Sequence, residues 1–222
     1  MSTNFKYTVQ FYFDPISPFA WLASRDLQRL QEAGVQIDCR PVLFAGLLNA
    51  HGQKGPAEIP AKRVYTFHDV LRQATQHGYI FKGPPSHPFN PLRALRMCIA
   101  LADAQERLRF AQALMIACWE QGADLSDAKV LDEIAQAAGF DGRLSAAADM
   151  PEVKEKLLLA TENAIKNGIF GVPTFVLGKE LFWGSDRIDA LLWRLDHPDE
   201  ALLESEILQD FLQRGASAQR RQ

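Results

Sequence analysis

The sequence predicts an α/β fold: a β-α-β unit near the N-terminus and an α-β-β-α unit near the C-terminus form one layered domain, split by an all-helical insertion. Three observations predict it. Short aromatic and β-branched runs occur near both ends of the 222-residue chain. The middle carries successive apolar stripes at helical spacing with no strand between them. The first strand stops at Asp14-Pro15 and leads into a helix, and near the other end Pro173 stands at a strand start after a tight glycine turn.

The elements follow in order. Val9-Gln10-Phe11-Tyr12-Phe13 reads as a strand that ends at Asp14-Pro15. Ser17-Pro18 then pairs an N-cap serine with a proline at the first helical position, and Phe19, Leu22, Ala23, Leu27 and Leu30 continue at helical spacing. Gly34 closes that helix, and Val35 to Val42 reads as the second strand. Residues 43–63, with Gly46, Gly52, Gly55, Pro56 and Pro60, read as a long loop, a length usually kept for function. A helical block begins near Val64. Asn90-Pro91 repeats the cap-plus-proline signal, and Ser126 reads as the cap of a later helix ending at Gly139. Pro151 opens another helix that ends at Gly168. Gly171 to Leu177 and Leu181-Phe182-Trp183 read as two strands around a Lys179-Glu180 turn, before a helix capped by Ser185 or Asp186. The expected division is 5–64 plus 151–213 for the α/β domain, 65–150 for the helical insertion and 214–222 for a frayed tail.

Composition narrows the function classes. The chain is 47% hydrophobic and 23% charged with a net charge of −3, which supports a sizeable core and gives no basic arm for nucleic acid or an anionic membrane. The first residues lack the pattern of a signal peptide, and no stretch is long and apolar enough to span a bilayer. Cys39, Cys98 and Cys118 are far apart and form no C-x-x-C, so buried free thiols and a cytoplasmic location are expected. The five histidines show no metal spacing, no phosphate loop or G-x-S-x-G elbow occurs, and no metal is expected.

Three short segments carry chemistry. Ser17 sits where a strand feeds a helix N-terminus. It serves either as a plain cap or as a hydroxyl donor to an anion held by the free N–H groups there; if that anion is a thiolate, its pKa falls. Gly171-Val172-Pro173-Thr174 places a proline at a strand start, trans or cis. In the cis form the Val172 backbone would face outward to pair with an extended peptide. Trp183-Gly184-Ser185-Asp186-Arg187 puts a hydroxyl and a carboxylate at a helix start, either as caps or as the partners of an amino-acid head group.

Taken together, the run Tyr12 to Trp21, the run Gly171 to Phe175 and the run Phe182 to Arg187 resemble the DsbA-like branch of the thioredoxin fold. More narrowly they are similar to the kappa-class glutathione transferases and the 2-hydroxychromene-2-carboxylate isomerases, and Phe89 to Arg96 resembles the isomerase side. The resemblance runs from the first strand to the last helix. It implies a thioredoxin-like domain with an inserted helical subdomain, glutathione as cofactor, and Ser17 as the catalytic residue that hydrogen-bonds the glutathione sulfur. It implies Val172 against the cysteinyl backbone, Ser185 and Asp186 on the γ-glutamyl head, Lys62 on the glycine carboxylate and Asn49 as a further contact. Asn90 is either a helix cap or a substrate contact. Arg93 and Arg96 are candidates for a substrate carboxylate or a solvated helix face. Trp183 and Phe19 wall an aromatic pocket or simply pack.

The activity implied is glutathione-dependent isomerisation of a small aromatic carboxylate, 2-hydroxychromene-2-carboxylate to and from trans-o-hydroxybenzylidenepyruvate or a relative, as in aromatic compound degradation. A homodimer is expected because similar proteins are often dimers. Three rivals stand beside it: a kappa-like transferase or peroxidase that consumes glutathione, a disulfide oxidoreductase, and a non-catalytic binding module. The second needs two cysteines where this chain has Ser17 and Ala20.

Overall fold

The computed structural model describes residues 5–200 and 202–215. Its sheet has four strands, β1 (Tyr7–Phe13), β2 (Val35–Pro41), β3 (Thr174–Leu177) and β4 (Glu180–Trp183), in the order β2-β1-β3-β4. β1 runs parallel to β2, with Val9 beside Ile37 and Phe11 beside Cys39. β3 runs antiparallel to β1, placing Phe175 beside Phe11, and β4 runs antiparallel to β3. The parallel pair needs a crossover, and α1 (Pro18–Glu32) supplies it.

Alternation in β1 decides the two faces. Val9, Phe11 and Phe13 point to one side, into a core shared with Trp21 and Leu27 of α1. Tyr12 points to the other, into a smaller cluster with Val42, Leu47, Ala164, Ile169 and Val172. That second cluster is covered by α2 (Phe44–Ala50) and α8 (Pro151–Lys166). Each fully buried phenylalanine contributes about 2–3 kcal/mol relative to exposure.

Between α2 and α8 run α3 (Pro60–Gln76), α4 (Leu92–Ala100), α5 (Ala104–Ile116), α6 (Ala128–Ala137) and α7 (Arg143–Ala147). A π-helical turn, Ala117–Gln121, continues α5. These helices do not form a separate core: Phe110, Leu114, Trp119 and Leu131 join the same buried cluster as Phe11 and Trp21. The chain closes with α9 (Ile188–Asp196), whose Ile188, Leu191 and Leu195 pack onto that cluster, and α10 (Glu206–Gln213).

Several local expectations change. Residues 43–63 are not one loop. They hold α2, a 3-10 turn at Pro56–Glu58 and the start of α3, which begins at Pro60 rather than Val64. α2 is short and contains Gly46, so its sequence signal is weak; it forms because Leu47 and Leu48 are buried. Asp127, not Ser126, caps α6 through a bond from the Lys129 N–H, while the Ser126 hydroxyl turns to Asp124. α10 has no counterpart in the sequence reading. Of the expected tail 214–222, residues 216–222 lie outside the described residues. Among the described residues no helix is long and apolar enough to cross a membrane.

Candidate functional site at the start of α1

The turn from β1 into α1 carries Ser17 as N-cap. Its backbone is extended, and its oxygen accepts a bond from the Ala20 N–H at 3.3 Å, with Pro18 at the first helical position. The hydroxyl donates to the Val172 carbonyl oxygen at 3.4 Å. Both residues are only 7% exposed. The Val172-Pro173 peptide bond is cis, which decides the alternative left open by the sequence. Among the described residues the Val172 N–H has no hydrogen-bond partner.

Five hydrogen bonds hold the turn before Ser17. The Ser17 N–H donates to the Asp14 carbonyl at 3.0 Å. The buried Asp14 carboxylate accepts the Ile16 N–H at 3.0 Å and the Phe44 N–H at 2.9 Å, so it pins the first residue of α2 to the same turn. Burial pushes the Asp14 carboxyl up to about 7, and the two backbone donors only partly offset that cost. The insertion supplies the other two ties. The Trp119 indole N–H donates to the Pro15 carbonyl at 2.9 Å, and His87 Nε2 lies 3.0 Å from the Ile16 carbonyl oxygen. Burial lowers the His87 pKa, the Ile16 carbonyl opposes that shift, and Arg63 adds to it.

The Trp183 segment lies against the Val172 turn. Gly184 N–H donates to the Pro173 carbonyl at 3.0 Å. Trp183 is 54% exposed and packs edge-on against Phe170, with its indole over Gly171. A Cβ on Gly171 would lie 2.7 Å from the Trp183 indole nitrogen, so only glycine permits this approach. Gly184 has φ +123°, and a Cβ there would meet the Asp186 carboxylate. Ser185 and Asp186 sit in a 3-10 turn, Ser185–Arg187, that packs against α1. The Ser185 hydroxyl donates to Gln73 Oε1 of α3 at 3.3 Å, and the exposed Asp186 pairs with Arg187.

The remaining sequence candidates fall less closely together. Asn49 is exposed near the end of α2, whose capping His51 lies 3.3 Å from the Ile169 carbonyl oxygen, three residues before Val172. Lys62 is exposed in the first turn of α3, beside Arg63, which donates to the His87 carbonyl at 2.8 Å. Asn90 is exposed and its oxygen accepts the Leu92 N–H at 3.1 Å from one residue ahead of Pro91, which is the N-cap of α4 in place of the expected Asn90. Phe19 is half-buried and packs on the main core. Arg93 is not open to a substrate: it forms two 3.0 Å bonds to Asp149 and further bonds to Ser145. Arg96 is half-buried, with its Nε unpartnered among the described residues.

Sequence reasoning missed Asp14, His87 and Trp119 as parts of this site. Asp14 alone carried a usable signal, a carboxylate ending an otherwise apolar strand. Cys39, Cys98 and Cys118 are buried free thiols, and burial pushes each thiol pKa up, so none competes as a nucleophile. Among the described residues no group of three or more His, Cys, Asp or Glu side chains forms a metal cluster.

The chain is similar in sequence and fold to known proteins. A family model described as a DSBA-like thioredoxin domain matches residues 8–196. A 2-hydroxychromene-2-carboxylate isomerase of Pseudomonas putida is 31% identical over 194 residues, covering 81% of this chain and 90% of that protein. Glutathione S-transferase kappa 1 of Rattus norvegicus is 27% identical over 207 residues, covering 84% of this chain and 90% of that protein. A solved 2-hydroxychromene-2-carboxylate isomerase superimposes with a TM-score of 0.80 at 25% identity, covering 89% of this chain and all of the other.

Proposed function

We infer the activity from kinship and geometry together: the chain belongs to the DsbA-like thioredoxin family, in the branch of the 2-hydroxychromene-2-carboxylate isomerases and kappa-class glutathione transferases, and it is an enzyme of that branch. The activity proposed is the glutathione-dependent interconversion of 2-hydroxychromene-2-carboxylate, or a related small aromatic carboxylate, with its open-chain benzylidenepyruvate isomer. The observation that carries it is the Ser17 hydroxyl, at the N-terminus of α1 and 3.4 Å from the Val172 carbonyl.

The residues fit a γ-glutamyl-cysteinyl-glycine ligand. The unpartnered N–H of buried Val172 matches the carbonyl of an extended cysteinyl unit, as a strand edge would. The Ser17 hydroxyl makes only a long bond to Val172, so it can turn to a better acceptor. Ser185 and Asp186 take the amino-acid head, with Asp186 exchanging Arg187 for the ligand ammonium. Lys62 takes the glycine carboxylate and Asn49 supplies an outer contact.

Bound glutathione supplies the sulfur that adds to, and leaves, the conjugated double bond of the substrate. The chain's part is electrostatic. Ser17 and the positive end of the α1 dipole, where the Phe19 N–H has no partner among the described residues, favour an anion, which lowers the pKa of a thiol held there. The ties on Asp14, Pro15 and Ile16 fix the backbone that carries that donor before any ligand arrives, so rotation of the Ser17 hydroxyl is the one change needed at the turn when charge develops. Trp183, Phe19 and Asn90 wall the side where the aromatic substrate lies. In this reading 5–64 and 151–213 hold glutathione and 65–150 closes the second-substrate side. A cytoplasmic homodimer belongs to the same proposal, supported by the buried free thiols and by the resemblance.

Thiol accounting tests it. Substrate absorbance is followed alongside a titration of free thiol. Isomerisation changes the first and leaves the second constant. Loss of one thiol per product would replace this reading with the kappa-like transferase, which the rat relative favours.

A further inference from the structure

His87 lies 71 residues from Ile16 in sequence, yet its ring nitrogen Nε2 is 3.0 Å from the Ile16 carbonyl oxygen. A carbonyl only accepts, so Nε2 carries a proton, and in the neutral ring, which burial favours, Nδ1 is the bare nitrogen. Nδ1 is buried and has no partner among the described residues. Leaving a buried acceptor unpaired is costly, and the chain tolerates it here while orienting the other nitrogen at the Ser17 turn. The ring is boxed by Phe67, Phe89 and Trp119, with centroid distances of 5.3, 6.4 and 5.7 Å, so it cannot swing away. Trp119 in turn holds the neighbouring Pro15 carbonyl. Arg63 holds the His87 carbonyl, and Arg63 follows Lys62 in the first turn of α3.

We propose that His87 is a positioning residue, which fixes the Ile16-Ser17 peptide as an Nε2–H donor and links the Lys62 end of the glutathione site to the Ser17 hydroxyl through Arg63. The inference rests on the glutathione reading of the site and adds a specific tautomer and chain of contacts to it. Burial favours the neutral form of His87, and the positive charge of the exposed Arg63 adds to that preference. Two replacements separate positioning from packing. His87→Phe keeps an aromatic ring in the box and removes both the donor and the unpaired nitrogen. His87→Gln removes the aromatic ring and keeps an N–H near the place of Nε2.

The experiment has three readings on the full chain. Nitrogen-15 imidazole shifts give the His87 tautomer in the wild type. Calorimetry gives glutathione affinity. Ultraviolet thiolate absorbance gives the pKa of the bound thiol. The expected result is the Nε2–H tautomer, and a bound-thiol pKa that rises by about one unit in His87→Phe, a roughly tenfold smaller thiolate fraction near neutrality, with His87→Gln close to the wild type. An Nδ1–H tautomer, or an unchanged thiol pKa in His87→Phe, overturns the inference and leaves the glutathione reading standing. If the wild type binds no glutathione in calorimetry, that reading falls and this one with it. Should His87→Phe fail to fold, the wild-type tautomer alone decides.

Discussion

The Ser17 hydroxyl donates to the Val172 carbonyl oxygen at 3.4 Å across 155 residues of chain. This bond joins the turn before α1 to the turn before β3. It is long for an O–H···O bond, so the donor is held in place without being strongly engaged.

Replacing Ser17 tests what that donor does. Ser17→Ala loses the N-cap oxygen and should cost about 1 kcal/mol of stability, read by thermal melting. Its larger effect should be on glutathione-dependent turnover, lowered by about 10- to 100-fold, the scale of one hydrogen bond to a charged group. Full activity across roughly pH 6 to 9 would remove Ser17 from the chemistry.

The Asp14 carboxyl, pushed up to about 7, predicts a distinct pH dependence of stability. In the unfolded chain this carboxyl titrates near 3.8. Between those values the folded state holds a proton that the unfolded state has released, so stability falls as pH rises through that window and levels off above it. About three units of difference correspond to about 4 kcal/mol. Asp14→Asn cannot ionise, so denaturant titrations from about pH 4 to about pH 8 should show the wild type losing stability relative to it. Parallel curves would contradict the buried carboxylate.

Gly171 predicts a steric effect. Gly171→Ala sets a methyl 2.7 Å from the Trp183 indole nitrogen and must push Trp183 or the Val172 turn aside. The expected cost is about 1–3 kcal/mol of stability, together with weaker glutathione binding in calorimetry. Binding equal to the wild type would show that the Trp183 packing does not shape the Val172 edge.

Arg93 predicts a separation of roles. Its guanidinium is committed to Asp149 and Ser145, so Arg93→Gln should lower stability by about 1 kcal/mol and leave KM for the aromatic substrate unchanged. A large rise in KM with unchanged stability would return Arg93 to the substrate pocket.

Much of the frame was readable from local chemistry. Ser17-Pro18 marks a helix start because both residues satisfy the first turn by themselves, whereas at Asn90-Pro91 the helix begins one residue later than the same signal predicts, with Pro91 as its N-cap. The short aromatic and β-branched run Val9 to Phe13, ending at Asp14-Pro15, was enough to mark β1 as a strand. What could not be read depends on contacts between distant segments. α2 forms through burial of Leu47 and Leu48 and not through propensity. Arg93 looks free in sequence because Asp149 lies 56 residues away. The His87 and Trp119 ties to Ile16 and Pro15 span 71 and 104 residues and leave no periodic trace. The cis state of Val172-Pro173 was likewise undecided until the chain was folded.

A crystal structure of the chain with glutathione bound tests the role of Ser17 at first hand. The sulfur is expected within hydrogen-bond reach of Ser17 Oγ, with the cysteinyl backbone paired to the Val172 N–H and carbonyl. Glutathione bound with its sulfur away from Ser17, or paired to a different edge, would contradict it.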